Sequence, residues 1–192
     1  MNNYIAWIIV GVAVVGGLIL YGVSAPTERT FWGQRSAMMS TIDQHFIEEM
    51  IPHHEGAIVM AKLALERSTR PEILSLSQGI IEAQTKEIND MQKWYKEWFG
   101  VEVPVDSSMM GMGHGAMGAM QGMEGDIEKL KVAEDFDKEF LSQMIVHHEM
   151  AVMMGRMLLS GTSRAEMKTL ADNIITSQTR EIEMMRSWLN AW

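Results

Sequence analysis

Residues 50–60 read MIPHHEGAIVM, and residues 144–154 read MIVHHEMAVMM. The second stretch repeats the first 94 positions later. Working outward, residues 41–98 align with 135–192 without a gap, and 22 of the 58 pairs are identical. They include Gln84-Thr85 with Gln178-Thr179, and Trp94 and Trp98 with Trp188 and Trp192. A histidine pair that returns inside a duplicated frame points to a two-fold site built from four helices.

Each copy reads as a helical hairpin. Asp43, Phe46, Met50, His53, His54, Ala57 and Met60 recur at steps of three and four, which is one face of an α-helix. Leu76, Ile80, Gln84, Glu87, Met91, Trp94 and Trp98 form a second stripe. Between the stripes, Thr69 with Glu72 and Ser163 with Glu166 read as capping boxes, and Pro71 suits a first helical turn. Two such hairpins bury their apolar faces best against each other. The expected fold is therefore all-α, an antiparallel four-helix bundle from two tandem hairpins. Pro52 lacks a backbone donor and should kink the first helix, whereas the second copy has Val146 there.

The chain divides accordingly. Residues 41–99 form the first hairpin and 135–192 the second, joined by a Gly- and Met-rich linker over 100–134. Residues 1–25 precede them as a membrane anchor or signal segment. Tyr4 to Val23 carry no charge, and twenty residues at helical rise span a hydrocarbon core. A cleaved signal is the alternative, since Val23-Ser24-Ala25 offers small residues for cleavage. The length of the run and the lack of Lys or Arg before it favour a retained transmembrane helix. Arg29 and Arg35 after it lean weakly towards a cytoplasmic C-terminal part.

Composition narrows the chemistry. The net charge of −9 gives nucleic acid no electrostatic footprint. Twenty of the 192 residues are methionine and none is cysteine, so disulfides and thiolate sites are excluded. A soft metal is left with thioether and imidazole. His53, His54, His147 and His148 are the leading metal ligands, with Met50 and Met144 one turn before His54 and His148. The plain alternative is that one histidine of each pair hydrogen-bonds within the core. Glu87 and Glu181 lie on apolar stripes, and a buried carboxylate needs a partner or a cation. Each either binds metal directly or accepts a hydrogen bond from a histidine and so orients it. Glu55 and Glu149 fall off the stripe. Asp43 and Asp137 are read as helix-start residues that complement the dipole.

The methionines need two explanations. Met60, Met91, Met154, Met157, Met167 and Met185 are expected to be core filler. Met109, Met110, Met112, Met117, Met120 and Met123 stand among glycines, with His114 between them, and have no core to fill. Their thioethers suit Cu(I) or Ag(I) better than Zn²⁺ or Mg²⁺.

The His-His-Glu helices, the Gln-Thr-x-Glu-Ile run and the trailing tryptophan resemble the ferritin-like domain-of-unknown-function family numbered 305. Both copies match, which is about two-thirds of the chain. The resemblance implies a four-helix fold, export or membrane anchoring, and metal sites of the kind found in the family's copper-binding, CopM-like branch. It places ligand histidines at His53, His54, His147 and His148 and implies no enzyme activity. It favours an extracytoplasmic domain, where thioethers persist and thiols would be oxidised. The expectation is a membrane-tethered protein that binds copper, chiefly Cu(I) and also Ag(I), for sequestration, resistance or transfer. Its partners would be the metal ion, the membrane, and a copper transporter or chaperone as candidate recipient. A ferritin-like di-metal oxidase is the runner-up, though no Glu-x-x-His step leads to these histidines. A structural or partner-binding bundle is the third reading.

Overall fold

The computed structural model describes residues 28–104 and 126–192, with side chains described from residue 41 onward. The expected membrane segment and Met109, Met110, Met112, His114, Met117, Met120 and Met123 lie outside the described residues. Among the described residues there are five helices and no strand. They are α1 (Glu28–Arg67), α2 (Pro71–Phe99), α3 (Ile127–Val132), α4 (Phe136–Gly161) and α5 (Ala165–Ala191). None of these is long and apolar enough to cross a membrane.

The hairpins are α1–α2 and α4–α5, and α1 packs against α4 to join them. α1 and α4 run antiparallel. Arg67, at the end of α1, donates to the carbonyl of Lys131 just before α4. At the other end Gly161 meets Ile42 so closely that a Cβ there would lie 2.5 Å from the Ile42 tip.

Helix starts differ from the expected capping boxes. The N-caps are Arg70 and Arg164, both extended and neither making a side-chain cap. Proline at N1 explains the first, because Pro71 disfavours helical geometry at the residue before it. Ser68 and Thr162 fold back instead, each accepting from the backbone N–H two residues on, at 3.2 Å. At the far end of α2, Gly100 adopts a left-handed conformation (φ 73°) and donates to the Lys96 carbonyl. Glycine takes that backbone without a Cβ penalty.

α1 also begins earlier than the repeat, at Glu28, and continues through Pro52. Asp43 is therefore mid-helix, and the dipole does not account for it. It is buried and ion-paired with Arg164 across the hairpins at 3.1 Å. Its counterpart Asp137, in the first turn of α4, pairs with Arg70 at the same distance. Each guanidinium also lies 4.0 Å above a tryptophan ring, Arg164 over Trp98 and Arg70 over Trp192. The duplication thus produces two reciprocal clasps between the hairpins.

The end of the linker is ordered as α3. Asp126 caps it by accepting from the Lys129 N–H at 2.8 Å, and Leu130 is fully buried.

Two apolar clusters fill the bundle. One gathers Ala57, Met60, Ile73 and Ile80 with Phe140, Met144 and Met185. The other gathers Phe46, Met50, Met91 and Tyr95 with Leu158, Met167 and Ile174. Met60, Met91, Met167 and Met185 are core filler as expected, all fully buried. Met157 is not, being 62% exposed, and Met154 is only half-buried. Between the clusters lies a polar layer.

Candidate metal centre

That layer consists of His53, His54, His147, His148, Gln84 and Gln178, all buried. Glu87 and Glu181 close it on the outside. The histidines are adjacent in sequence at the middle of α1 and α4, so the crossing of those helices brings the pairs together. His53 and His147 stack with ring centroids 3.7 Å apart and planes tilted by 40°. His54 and His148 lie farther out, each with its centroid 6.2 Å from its neighbour's.

The hydrogen bonds fix the chemistry of three rings. His54 Nε2 donates to Glu87 Oε2 at 2.7 Å, and His148 Nε2 donates to Glu181 Oε2 at 2.6 Å. The carboxylates therefore orient imidazoles, one of the two roles expected for them. His147 Nε2 donates to the His53 carbonyl at 2.9 Å. In a neutral ring, a proton on Nε2 leaves Nδ1 as a lone pair. In all three rings that Nδ1 is buried with no hydrogen-bond partner among the described residues. His53 goes further, because neither of its nitrogens has a partner there. Buried polar atoms are nearly always paired, so a row of bare nitrogens in one layer calls for an occupant.

Electrostatics keep the inner pair neutral. Burial, then the neighbouring imidazoles His54 and His148, pull His53 down to about pH 3. Burial and then His53 pull His147 well below the usual histidine range. Neutral imidazole is the form that binds metal. A depressed histidine has a stability consequence with a definite sign. The folded state binds fewer protons than the unfolded chain below about pH 6.5, so stability is full above that pH and falls as pH drops towards about 3. The expected loss is up to about 1.4 kcal/mol per pH unit for each such histidine. Urea denaturation of chelator-treated protein at pH 7.5, 6 and 5 measures it. A midpoint independent of pH over that range would mean that the inner imidazoles are hydrated.

The remaining candidates fall into place unevenly. Met50 and Met144 are fully buried, but they pack into opposite apolar clusters, one on each side of the layer. Glu55 and Glu149 are exposed, as their helical phase implies, and Glu149 pairs with Arg186. Among the described residues, no three His, Cys, Asp or Glu side chains converge on a common point for an ion. The layer is thus a set of oriented donors rather than a closed cage. It reaches solvent through Glu87, which also lines a cleft of ≈ 640 Å³ between α2 and α5 with Asp90, Trp94 and Glu166. That cleft admits a hydrated ion as far as the carboxylate. Sequence reading missed the Arg70 and Arg164 clasps that hold the two halves of the layer together. The repeated Arg at matched positions was the available signal.

Similarity to known proteins agrees with this architecture. CopM in its Cu(II)-bound form shares 47% identity and a TM-score of 0.70, covering 78% of this chain and 97% of that one. The Cu(I)-bound and co-crystallised Ag-bound forms of CopM give TM-scores of 0.68 and 0.67, at 42% and 43% identity, with the same 78% of this chain covered and 96% of theirs. A DUF305 fragment from Deinococcus radiodurans matches at 28% identity and TM-score 0.66, over 79% of this chain and 97% of that one. An uncharacterized protein of Acanthamoeba polyphaga mimivirus is 43% identical over 54 residues, 28% of this chain. The chain spans about a third (36%) of the length of that curated relative. The family model described as Domain of unknown function (DUF305) matches residues 43–191, and the chain belongs to that family.

Proposed function

We propose that this protein binds copper, preferentially as Cu(I) and also Ag(I), outside the cytoplasm, holding the ion for sequestration or onward transfer from a membrane-tethered position. The observation that carries the reading is the buried layer in which three imidazoles, bonded through Nε2, leave Nδ1 without a hydrogen-bond partner among the described residues. Similarity to CopM, solved with Cu(I), Cu(II) and Ag, supports the choice of metal. Absence of cysteine supports a compartment where thiols would be lost. The apolar run at residues 4–23 supports tethering.

Two donor sets divide the work on this reading. The histidine layer sits on rigid helices and binds without reordering the chain. Met109, Met110, Met112, Met117, Met120 and Met123, with His114, would bind more weakly, because gathering ligands from a glycine-rich chain costs entropy. Such a site suits capture and release. Anaerobic equilibrium dialysis with Cu(I), Ag(I) and Zn²⁺, read by elemental analysis, separates the two sets. Replacing His53, His54, His147 and His148 with alanine should remove the tightly held copper and leave a helical protein. Changing the six linker methionines to leucine should lower Cu(I) and Ag(I) capacity alone. If both variants hold as much copper as the parent, the reading fails.

A further inference from the structure

The duplication provides an internal comparison between equivalent surfaces. In the second hairpin, Glu139 and Gln143 face outward from α4, and α3 lies against them. Lys129 pairs with Glu139 at 2.8 Å, and the Gln143 carbonyl accepts from the Asp126 N–H at 2.8 Å. Leu130 of α3 then packs into the same cluster as Met60 and Leu63 of α1. This patch is sealed by protein.

The matching positions of the first hairpin are His45 and Glu49 on α1, facing Met154 and Met157 on α4. No helix among the described residues covers them in the way α3 covers its patch. Together with Ile42, Phe46 and Leu158 they line an open groove of ≈ 160 Å³. That is too small for an organic substrate, which needs roughly 300 Å³ or more. It is ample for one ion. The exchanges between the copies add ligand types. Glutamate becomes His45, glutamine becomes Glu49, and Leu63 becomes Met157, while Met60 is matched by Met154. The uncovered copy therefore carries one imidazole, one carboxylate and two thioethers, where the covered copy has a carboxylate already paired with Lys129, an amide bonded to α3, one thioether and a leucine. Met157 at 62% exposure has no core role that would explain it.

His45 is not pinned by a hydrogen bond. Its Nδ1 lies 3.6 Å from Glu48 Oε2, and Glu48 is itself held by Tyr95 and Gln44 at its other oxygen. The imidazole is mostly exposed at the rim of the groove, so its ring can turn to offer a nitrogen to an ion there.

We infer that the groove between α1 and α4 is a separate surface site for one soft monovalent ion, Cu(I) or Ag(I), bound by His45 and the thioethers of Met154 and Met157, with Glu49 balancing its charge. Two neutral sulfurs and one imidazole select against Zn²⁺ and Mg²⁺. The site rests on the copper reading above and extends it to a place distinct from both the histidine layer and the linker.

The test is Ag(I) titration of the full-length chain labelled with ¹³C at the methionine methyls. Single Met→Leu variants assign Met154 and Met157. Their two methyl signals should shift together and saturate with one equivalent of silver at this site. They should still shift in the protein lacking His53, His54, His147 and His148. Zn²⁺ should leave them unmoved. His45→Ala should weaken the response at least tenfold without changing the helical spectrum, since the residue is exposed. Silver bound elsewhere with both methyls still, one methyl moving alone, or an unaltered response in His45→Ala each overturns this site while leaving the copper reading intact. No silver or copper bound anywhere on the chain sinks the copper reading itself.

Discussion

Replacing His53 with leucine should make the metal-free protein more stable, by about 1–3 kcal/mol, which is the cost of a buried polar group left unpaired. His53 is buried, neither of its ring nitrogens has a partner among the described residues, and burial holds its imidazole neutral well below the usual histidine range. Leucine is similar in volume and carries no unpaired atom. The backbone carbonyl that accepts from His147 is kept in the variant. His54→Leu and His148→Leu should do the opposite, because each strands a partly buried carboxylate that now has an imidazole donor. Chemical denaturation of the four chelator-treated proteins, parent included, gives the order directly. The His53 variant should also hold less copper, so stability would rise as binding falls, the usual trade at a functional site. A loss of stability in His53→Leu would show that the ring has a structural role and would remove the main support for a metal layer.

The sequence made this layer legible because two independent signals coincided there. Helical periodicity put His53, His54, Gln84 and Glu87 on inward faces, and the repeat put His147, His148, Gln178 and Glu181 in matching places. Duplication implies a two-fold relation, so adjacency of the pairs followed. What periodicity could not supply was the direction of each side chain. Met50 and His54 stand one turn apart and looked like joint ligands, yet the thioether turns into an apolar cluster while the imidazole meets Glu87. Met157 shares the apolar spacing of a core residue but faces a groove, because α3 has no counterpart beside the first hairpin among the described residues. The first capping box failed for a local reason. Pro71 holds Arg70 extended, so the helix starts one residue later than the motif requires.

Asp43 shows most clearly what only tertiary structure reveals, and it leads to the second large effect. Arg164→Ala should destabilise the protein by about 3–5 kcal/mol, the range for removing one partner of a buried ion pair. Arg70→Ala should cost about 1 kcal/mol, although the two clasps share the same 3.1 Å contact and the same 4.0 Å seat over a tryptophan. The difference lies in the acids. Asp43 has 1% of its side chain exposed and Asp137 has 20%, so water can replace Arg70 but not Arg164. Moreover, neither oxygen of Asp43 has an aligned hydrogen-bond donor among the described residues, which leaves its charge dependent on the guanidinium. Changing Asp43 to leucine in the Arg164→Ala background removes the stranded charge and should recover most of the loss. A double-mutant cycle in urea at pH 7.5 gives the coupling energy. Because Arg164 leads α5 and grips both Asp43 and Trp98 of the other hairpin, its loss should also loosen the contact of α1 with α4. The stacking of His53 on His147 depends on that contact, so copper should leave the Arg164 variant faster than the Arg70 variant. Equal and small losses from the two arginine changes would mean that the apolar clusters alone dock the hairpins.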